Sequence, residues 1–131
     1  MTDLLSIPGV QSACITDDSG HLVEHVGHAQ PPTAAVLVLA HATLTAASEL
    51  GRRSGSGDCV EILQQHEGGL ILLRCLPSRH ALLVRCLPGA DISAVSRAAA
   101  RIVAAPRLRP VAAPLLDLQD ALHAMPAWQA R

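Results

Sequence analysis

The chain of 131 residues contains no lysine, no phenylalanine and no tyrosine, and Trp128 is its single large aromatic side chain. A phosphate-binding P-loop requires a Gly-Lys-Ser/Thr sequence, so the lack of lysine excludes nucleotide binding of that kind. Stacking on nucleic acid bases needs aromatic side chains, which are almost missing. The formal net charge of −1 gives no strong positive field for nucleic acid or an anionic membrane.

Long apolar runs are also scarce, because glycine, proline or charge interrupts them before the roughly 18 residues typical of a membrane span. The first residues, Met-Thr-Asp-Leu-Leu-Ser, lack the basic start and apolar core of a signal peptide. We therefore expect a cytoplasmic protein without membrane insertion. The length suits one compact domain with a short tail.

Cysteines and histidines show no arrangement typical of a metal site. The four cysteines, Cys14, Cys59, Cys75 and Cys86, are widely separated and fall in segments with strand character. Small buried thiols in a reducing compartment are the simplest interpretation. No His-x-x-x-His pair lies on a predicted helix, and no Gly-x-Ser-x-Gly motif or cluster of titratable groups points to an enzyme. The sequence predicts no metal, no cofactor and no catalytic residues.

A long helix is predicted over residues 33–50. Thr33 follows two prolines and can cap the first turn, and Gly51 can end the helix in a left-handed conformation. At about 100° per residue, most of the circumference is apolar. The polar band contains His41, Thr45, Ser48 and, just beyond the end, Arg52. A helix so largely apolar is normally covered on more than one side, and in a short chain we expect another molecule to supply the second cover.

Five segments have strand character. Residues 10–16 and 21–26 form a hairpin around the turn Asp17-Asp18-Ser19-Gly20. Residues 58–65, 70–76 and 81–87 follow the long helix as an antiparallel meander. In the first of these, Val60 and Ile62 face opposite to Glu61, a pattern that suits a sheet edge or an interface better than a buried centre. Asp91 can then cap a final amphipathic helix.

This order of elements predicts an α+β domain over residues 1–105. Its five-stranded antiparallel sheet would lie between helices in a profilin-like architecture, with the two-stranded hairpin, the long helix and the three-stranded meander in that order. Residues 106–131 are predicted to be a proline-rich C-terminal tail that could include a short helix.

Several segments carry a pattern known from one family. They are Ile7-Pro-Gly-Val10, Ala13-Cys-Ile-Thr-Asp-Asp-Ser-Gly20, Gly69-Leu-Ile-Leu-Leu-Arg-Cys-Leu76 and Ala81-Leu-Leu-Val-Arg-Cys-Leu-Pro-Gly89. Together with the alanine-rich long helix, they resemble the Roadblock/LC7 family, which includes roadblock-type dynein light chains and bacterial partners of Ras-like GTPases. The resemblance covers about residues 4–104 and depends mainly on the order of elements.

The resemblance implies a homodimer in which the long helices pack antiparallel and the edge strands join two sheets. The implied interface comprises Leu37, Ala40, His41, Leu44, Ala47, Val60 and Ile62. It also implies that a Ras-like small GTPase binds across the paired helices, with His41, Thr45, Ser48 and Arg52 as candidate contacts. Such a dimer is a non-catalytic adaptor or regulator that changes the nucleotide state or location of the GTPase through differential affinity.

A small-molecule sensor is the alternative hypothesis, because related α+β sheet domains hold ligands between sheet and helix. An open pocket lined by Cys14, Cys75 or Cys86 favours the sensor. A filled core together with a two-fold helix pair favours the adaptor.

Overall fold

The computed structural model describes residues 1–28 and 30–102. Its elements are α1 (Thr2–Leu5), β1 (Val10–Thr16), β2 (Leu22–Gly27), α2 (Ala34–Arg53), β3 (Glu61–His66), β4 (Gly69–Cys75), a 3-10 turn (Pro77–Arg79), β5 (Ala81–Cys86) and α3 (Ile92–Ala100). The α+β order is the predicted one. The predicted tail over residues 106–131, and the last residues of the predicted domain, lie outside the described residues.

The strands form one antiparallel sheet in the order β2–β1–β5–β4–β3. Strand β5 is therefore central, and β2 and β3 are the two edges. The edge position of β3 confirms the prediction made from its half-polar pattern. The chain leaves the sheet at β2 and re-enters it at β3, and the helix between them, α2, packs on residues of β1, β4 and β5 on one face.

Helices α1 and α3 cover the opposite face of the sheet. Leu4 of α1 and Val95 of α3 are fully buried there against Leu72, Leu82 and other strand residues. Helix α3 begins as predicted, because the Asp91 carboxylate accepts a hydrogen bond from the Ala94 amide at 3.1 Å. The sheet is thus sandwiched between helices.

Helix α2 packs on its face through a smaller core. That core consists of Cys14, Leu37, Ala40, Leu44, Leu73, Ala81 and Leu83. Three helix residues assigned from the family resemblance to a dimer interface, Leu37, Ala40 and Leu44, are therefore buried against the chain's own sheet. A buried side chain has little surface left to cover, so these three can contribute little to contact with a second copy.

The start of α2 was predicted correctly and its end was not. The Thr33 hydroxyl accepts a hydrogen bond from the Val36 amide at 3.4 Å, as expected of a cap. The helix does not stop at Gly51 but continues through Arg53, with Gly55 following at a φ of 81°. Gly51 is needed for space, because a Cβ there would overlap the carbonyl oxygen of Gly57 as the chain folds back.

Within the described residues, α2 is the one helix long and apolar enough to cross a membrane by length and composition, with a mean hydropathy of 1.4 over its best 18-residue window. Glu49 and Arg52 still interrupt the apolar stretch near the helix end, and one helix of this length and composition is weak evidence for a membrane span. Core helices share these properties, and one face of α2 packs on the sheet. The absence of membrane insertion stays a prediction.

Candidate functional site

A cleft of about 270 Å³ lies between α2 and the end of the sheet where β4 stops and β5 starts. The α2 wall comprises His41, Leu44, Thr45, Ser48 and Arg52, and the opposite wall comprises Asp58, Cys59, Cys75, Arg79, His80 and Ala81. All four candidate partner contacts from the sequence line this one cleft. At about 100° per residue, their spacing places them along a single flank of the helix.

His41 fixes the inner end of the cleft. Its Nε2 atom and the Thr16 hydroxyl share a hydrogen bond, and Thr16, the last residue of β1, is buried. Burial lowers the pKa of His41 below its usual 6.5, although a backbone hydrogen bond to Asp17 and the charges of Asp17 and Asp18 act in the opposite direction. His41 therefore joins α2 to the β1–β2 hairpin as a neutral imidazole at neutral pH.

Ser48 and Arg52 hold the chain segment that returns from α2 to β3. The Ser48 hydroxyl oxygen accepts a hydrogen bond from the Cys59 amide at 3.0 Å. Arg52 forms ion pairs with Asp58 at 2.5 Å and with Glu49 at 2.9 Å, and its side chain is half exposed. An anionic group at Arg52 would meet a guanidinium whose charge is already shared with two carboxylates, whereas Thr45 is exposed.

The opposite wall was missed by sequence reasoning. Ser78 and Arg79 lie in the turn between β4 and β5. Both have a positive φ, 63° for Ser78 and 61° for Arg79. His80 then directs its Nδ1 atom to the Ser78 carbonyl oxygen at 3.1 Å. In the sequence, Arg79 and His80 were recognisable only as part of a Pro-Ser-Arg-His turn. No neighbouring residue indicates that this turn lies opposite α2.

The cysteine prediction holds for two of the four residues. Cys14 and Cys86 are buried in strands, as expected. Cys75 is exposed at the end of β4, and Cys59 is half-buried and precedes β3 rather than lying in it. The prediction of buried strand cysteines is wrong for these two because α2 leaves this end of the sheet open as a cleft.

A second surface, which we call the apolar stripe, runs along α2 on the flank away from the cleft. Its main members are Val36, Leu39 and Leu50, with exposed fractions of 43%, 51% and 69%. The spacing of three and eleven residues places them within one arc of the helix. Among the other sequence-predicted interface residues, Val60 is exposed on the β3 side, whereas Ala47 and Ile62 are half-buried.

The sheet is open beside the apolar stripe. Under α2, the paired residues Leu73 and Leu83 of β4 and β5 are buried. The next pair on the same face, away from the cleft, is Ile71 and Arg85, of which Ile71 is only partly buried and Arg85 is exposed. A shallow cavity of about 230 Å³ borders both residues. Because the cleft occupies the other end of these strands, the uncovered half of the sheet face lies on the stripe side of α2.

Metal-binding geometry is not found within residues 1–28 and 30–102, where no group of three or more His, Cys, Asp or Glu side chains is placed to hold an ion. The prediction of no metal and no cofactor stays a prediction.

Comparison with known proteins identifies the fold. No protein-family model matches the chain, and no curated protein matches it. A Roadblock/LC7 domain from Streptomyces avermitilis matches with a TM-score of 0.67 and 19% identity, covering 74% of this chain and 82% of that one. The gliding protein MglB from Thermus thermophilus matches with a TM-score of 0.67 and 18% identity, over 76% of this chain and 77% of that one.

A structure of MglB with a tetrameric arrangement is similar over 95% of this chain and 86% of its own, with a TM-score of 0.68 and 18% identity. At such low identity the likeness is one of architecture. The chain has a Roadblock/LC7-type fold, which confirms the fold implied by the sequence resemblance.

Proposed function

We propose that the protein is a non-catalytic homodimeric adaptor or regulator that binds a Ras-like small GTPase through its α2 surface. The observation that carries the proposal is the apolar stripe of Val36, Leu39 and Leu50, exposed beside an uncovered half of the sheet face. Exposed apolar surface of this kind marks a protein contact. A second α2, laid antiparallel against the first, would cover both the stripe and the open sheet.

The edge strand β3 extends this contact surface. One side of β3 pairs with β4, and among the strands within residues 1–28 and 30–102 β3 has no neighbour on its other side. A free edge presents unpaired amide and carbonyl groups that a second copy of β3 can satisfy. Val60, exposed just before β3, lies close to that edge. The helix part of the interface is thus proposed to be the stripe, in place of Leu37, Ala40 and Leu44.

The GTPase partner is proposed from the family resemblance, and the structure provides a surface suited to it. The stripe and the cleft lie on different flanks of α2, so a dimer formed through the stripe leaves Thr45, Arg52 and Arg79 open. These side chains can form hydrogen bonds and ion pairs with a polar partner segment. The proposed mechanism is positional, because a platform that binds one switch conformation more tightly shifts the population of the GTPase toward it.

The test measures nucleotide-dependent binding. The purified protein is immobilised and offered each Ras-like GTPase encoded in the same genome, loaded with GDP or with a non-hydrolysable GTP analogue. We expect one GTPase to be retained in one nucleotide state. Thr45→Arg in the cleft should abolish retention, whereas Ser93→Arg, an exposed position on α3 across the sheet, should leave it unchanged. Equal retention in both states, or a Thr45→Arg variant that still binds normally, refutes the proposal.

A ligand-binding sensor is a second candidate, favoured by one observation. The cleft is open and lined by Cys75, and its volume is close to the lower limit of ligand pockets, roughly 300 Å³. Cys14, in contrast, is buried in a filled core. If the protein is a sensor, a small-molecule screen should find a compound that raises the melting temperature of the wild-type protein but not of Thr45→Arg.

A further inference from the structure

Two cysteines, Cys59 and Cys75, line the wall of the cleft. The Cys75 amide donates a hydrogen bond to the Val60 carbonyl oxygen at 2.9 Å, so Cys59 is the chain neighbour of the residue that lies beside Cys75. Cys59 packs against the α2 core, and Cys75 lies opposite Ala81, a member of that core. Both thiols therefore lie on the α2 side of the sheet, and both line the cleft.

The environment of the pair differs from that of the other two cysteines. All four thiols are free, but Cys14 and Cys86 are buried in the separate cores on opposite faces of the sheet. Burial of its sulfur, followed by the neighbouring Cys59 and Asp58, raises the pKa of Cys75. Cys75 is thus a slow but accessible thiol.

We infer that Cys59 and Cys75 form a reversible intramolecular disulfide when the protein meets a hydroperoxide. The thiolate of Cys75 attacks the O–O bond, becomes a sulfenic acid, and releases water or an alcohol. The thiolate of Cys59 then attacks that sulfur, and the expelled hydroxide takes up a proton to leave as water. Two thiols lose two electrons and two protons in total, and the hydroperoxide is the species reduced.

The bond would fix the entry of the edge strand. It closes a loop from residue 59 to residue 75 that contains β3 and its turn into β4, and it ties the segment held by Ser48 to the end of β4. Closing such a loop restricts the unfolded chain and stabilises the fold. Because the disulfide forms within one chain, the inference stands or falls separately from the proposed dimer and GTPase.

The sequence makes the bond easy to detect. Trypsin cuts after arginine, and the four cysteines fall on four different tryptic peptides, with Cys59 on residues 54–74 and Cys75 on residues 75–79. The folded, reduced protein is treated with a small excess of hydrogen peroxide, remaining thiols are alkylated, and the digest is analysed without reductant. We expect the 54–74 and 75–79 peptides to be joined, to separate with dithiothreitol, and to account for most of the oxidised protein.

Matched variants complete the test. Cys86→Ser should retain the cross-link, and Cys59→Ser and Cys75→Ser should lose it. Oxidation should also raise the melting temperature of the wild-type protein by at least about 5 °C, with no such rise in Cys75→Ser. The inference is overturned if peroxide joins Cys75 to Cys75 of another molecule, if Cys75 ends as a sulfinic acid with Cys59 unreacted, or if the melting temperature does not respond.

Discussion

Two leucines on α2 test directly which flank of the helix meets the sheet and which meets a second copy. Leu44 has an exposed fraction of 5% and packs in the core under α2. Leu39 has an exposed fraction of 51% and belongs to the apolar stripe. Replacing each by alanine changes the same chemical group in the same helix, so any difference between the variants reports the difference in surroundings.

The expected magnitudes are well separated. Leu44→Ala removes a buried side chain and leaves a cavity, which should lower the free energy of unfolding of each chain by about 3 kcal/mol. Leu39→Ala removes about half of a leucine's burial from each copy in a dimer, roughly 1 kcal/mol per copy and about 2 kcal/mol for the symmetric pair. That loss corresponds to an increase of about 30-fold in the dissociation constant of the dimer.

The assay combines sedimentation velocity over a wide concentration range with urea unfolding at fixed concentration. Fixed concentration matters because dimerisation stabilises the folded chain by mass action. Leu39→Ala should shift the monomer–dimer midpoint to higher concentration, with little change in the unfolding of the monomer. Leu22→Ala is the matched control, because Leu22 is an exposed leucine on β2, the edge farthest from β3, and should change neither quantity.

The opposite pattern refutes the reasoning. If Leu39→Ala sediments like the wild type while Leu44→Ala dissociates the dimer without losing unfolding free energy, the interface uses the flank implied by the family resemblance, and the assignment of the stripe is wrong. A wild-type protein that stays monomeric at high concentration has no such interface on either flank, and this result also refutes the assignment of the stripe.

Two further predictions concern the fold itself. The folded-state pKa of His41 lies below 6.5, so the unfolded chain binds a proton at His41 more readily than the folded chain does. The stabilisation due to neutral His41 is therefore present above about pH 6.5 and is lost as the pH falls through the folded-state pKa. Urea unfolding from about pH 7.5 to about pH 5.5 should show a free energy that decreases with acidity, and His41→Gln should flatten that slope; an unchanged slope contradicts the assignment. Gly27→Ala should destabilise the protein by about 2 kcal/mol or more, because Gly27 has a φ of 128° and a Cβ there would lie 2.6 Å from the Gln11 carbonyl oxygen. Gly68→Ala, where a Cβ meets open space, is the control and should be near neutral; equal melting temperatures for the two variants would show that the close approach at Gly27 is relieved at little cost.

Signals carried by a few consecutive residues predicted the order of elements well. The Asp-Asp-Ser-Gly turn places the first hairpin correctly, and Thr33 and Asp91 begin their helices with the expected side-chain hydrogen bonds. The alternation around Glu61 correctly indicated an edge strand. These features depend on capping, turn chemistry and side-chain period, and each is complete within one short segment.

Features that depend on contact between distant segments could not be read in the same way. The end of α2 was misplaced because the role of Gly51 depends on Gly57, which returns against it. The four polar candidates were found on one flank by helical spacing, but the facing wall with Cys75 and Arg79 comes from another part of the chain.

The sequence by itself determined that α2 is apolar around most of its circumference, and the tertiary structure decided how that apolar surface is divided. Leu37, Ala40 and Leu44 are buried against the sheet, whereas Val36, Leu39 and Leu50 are exposed. A helix that is apolar around most of its circumference has a weak directional preference, so its own residues do not say which flank turns inward. Which flank of α2 is buried depends on how the helix packs on the strands beneath it, and therefore on how the whole sheet is assembled.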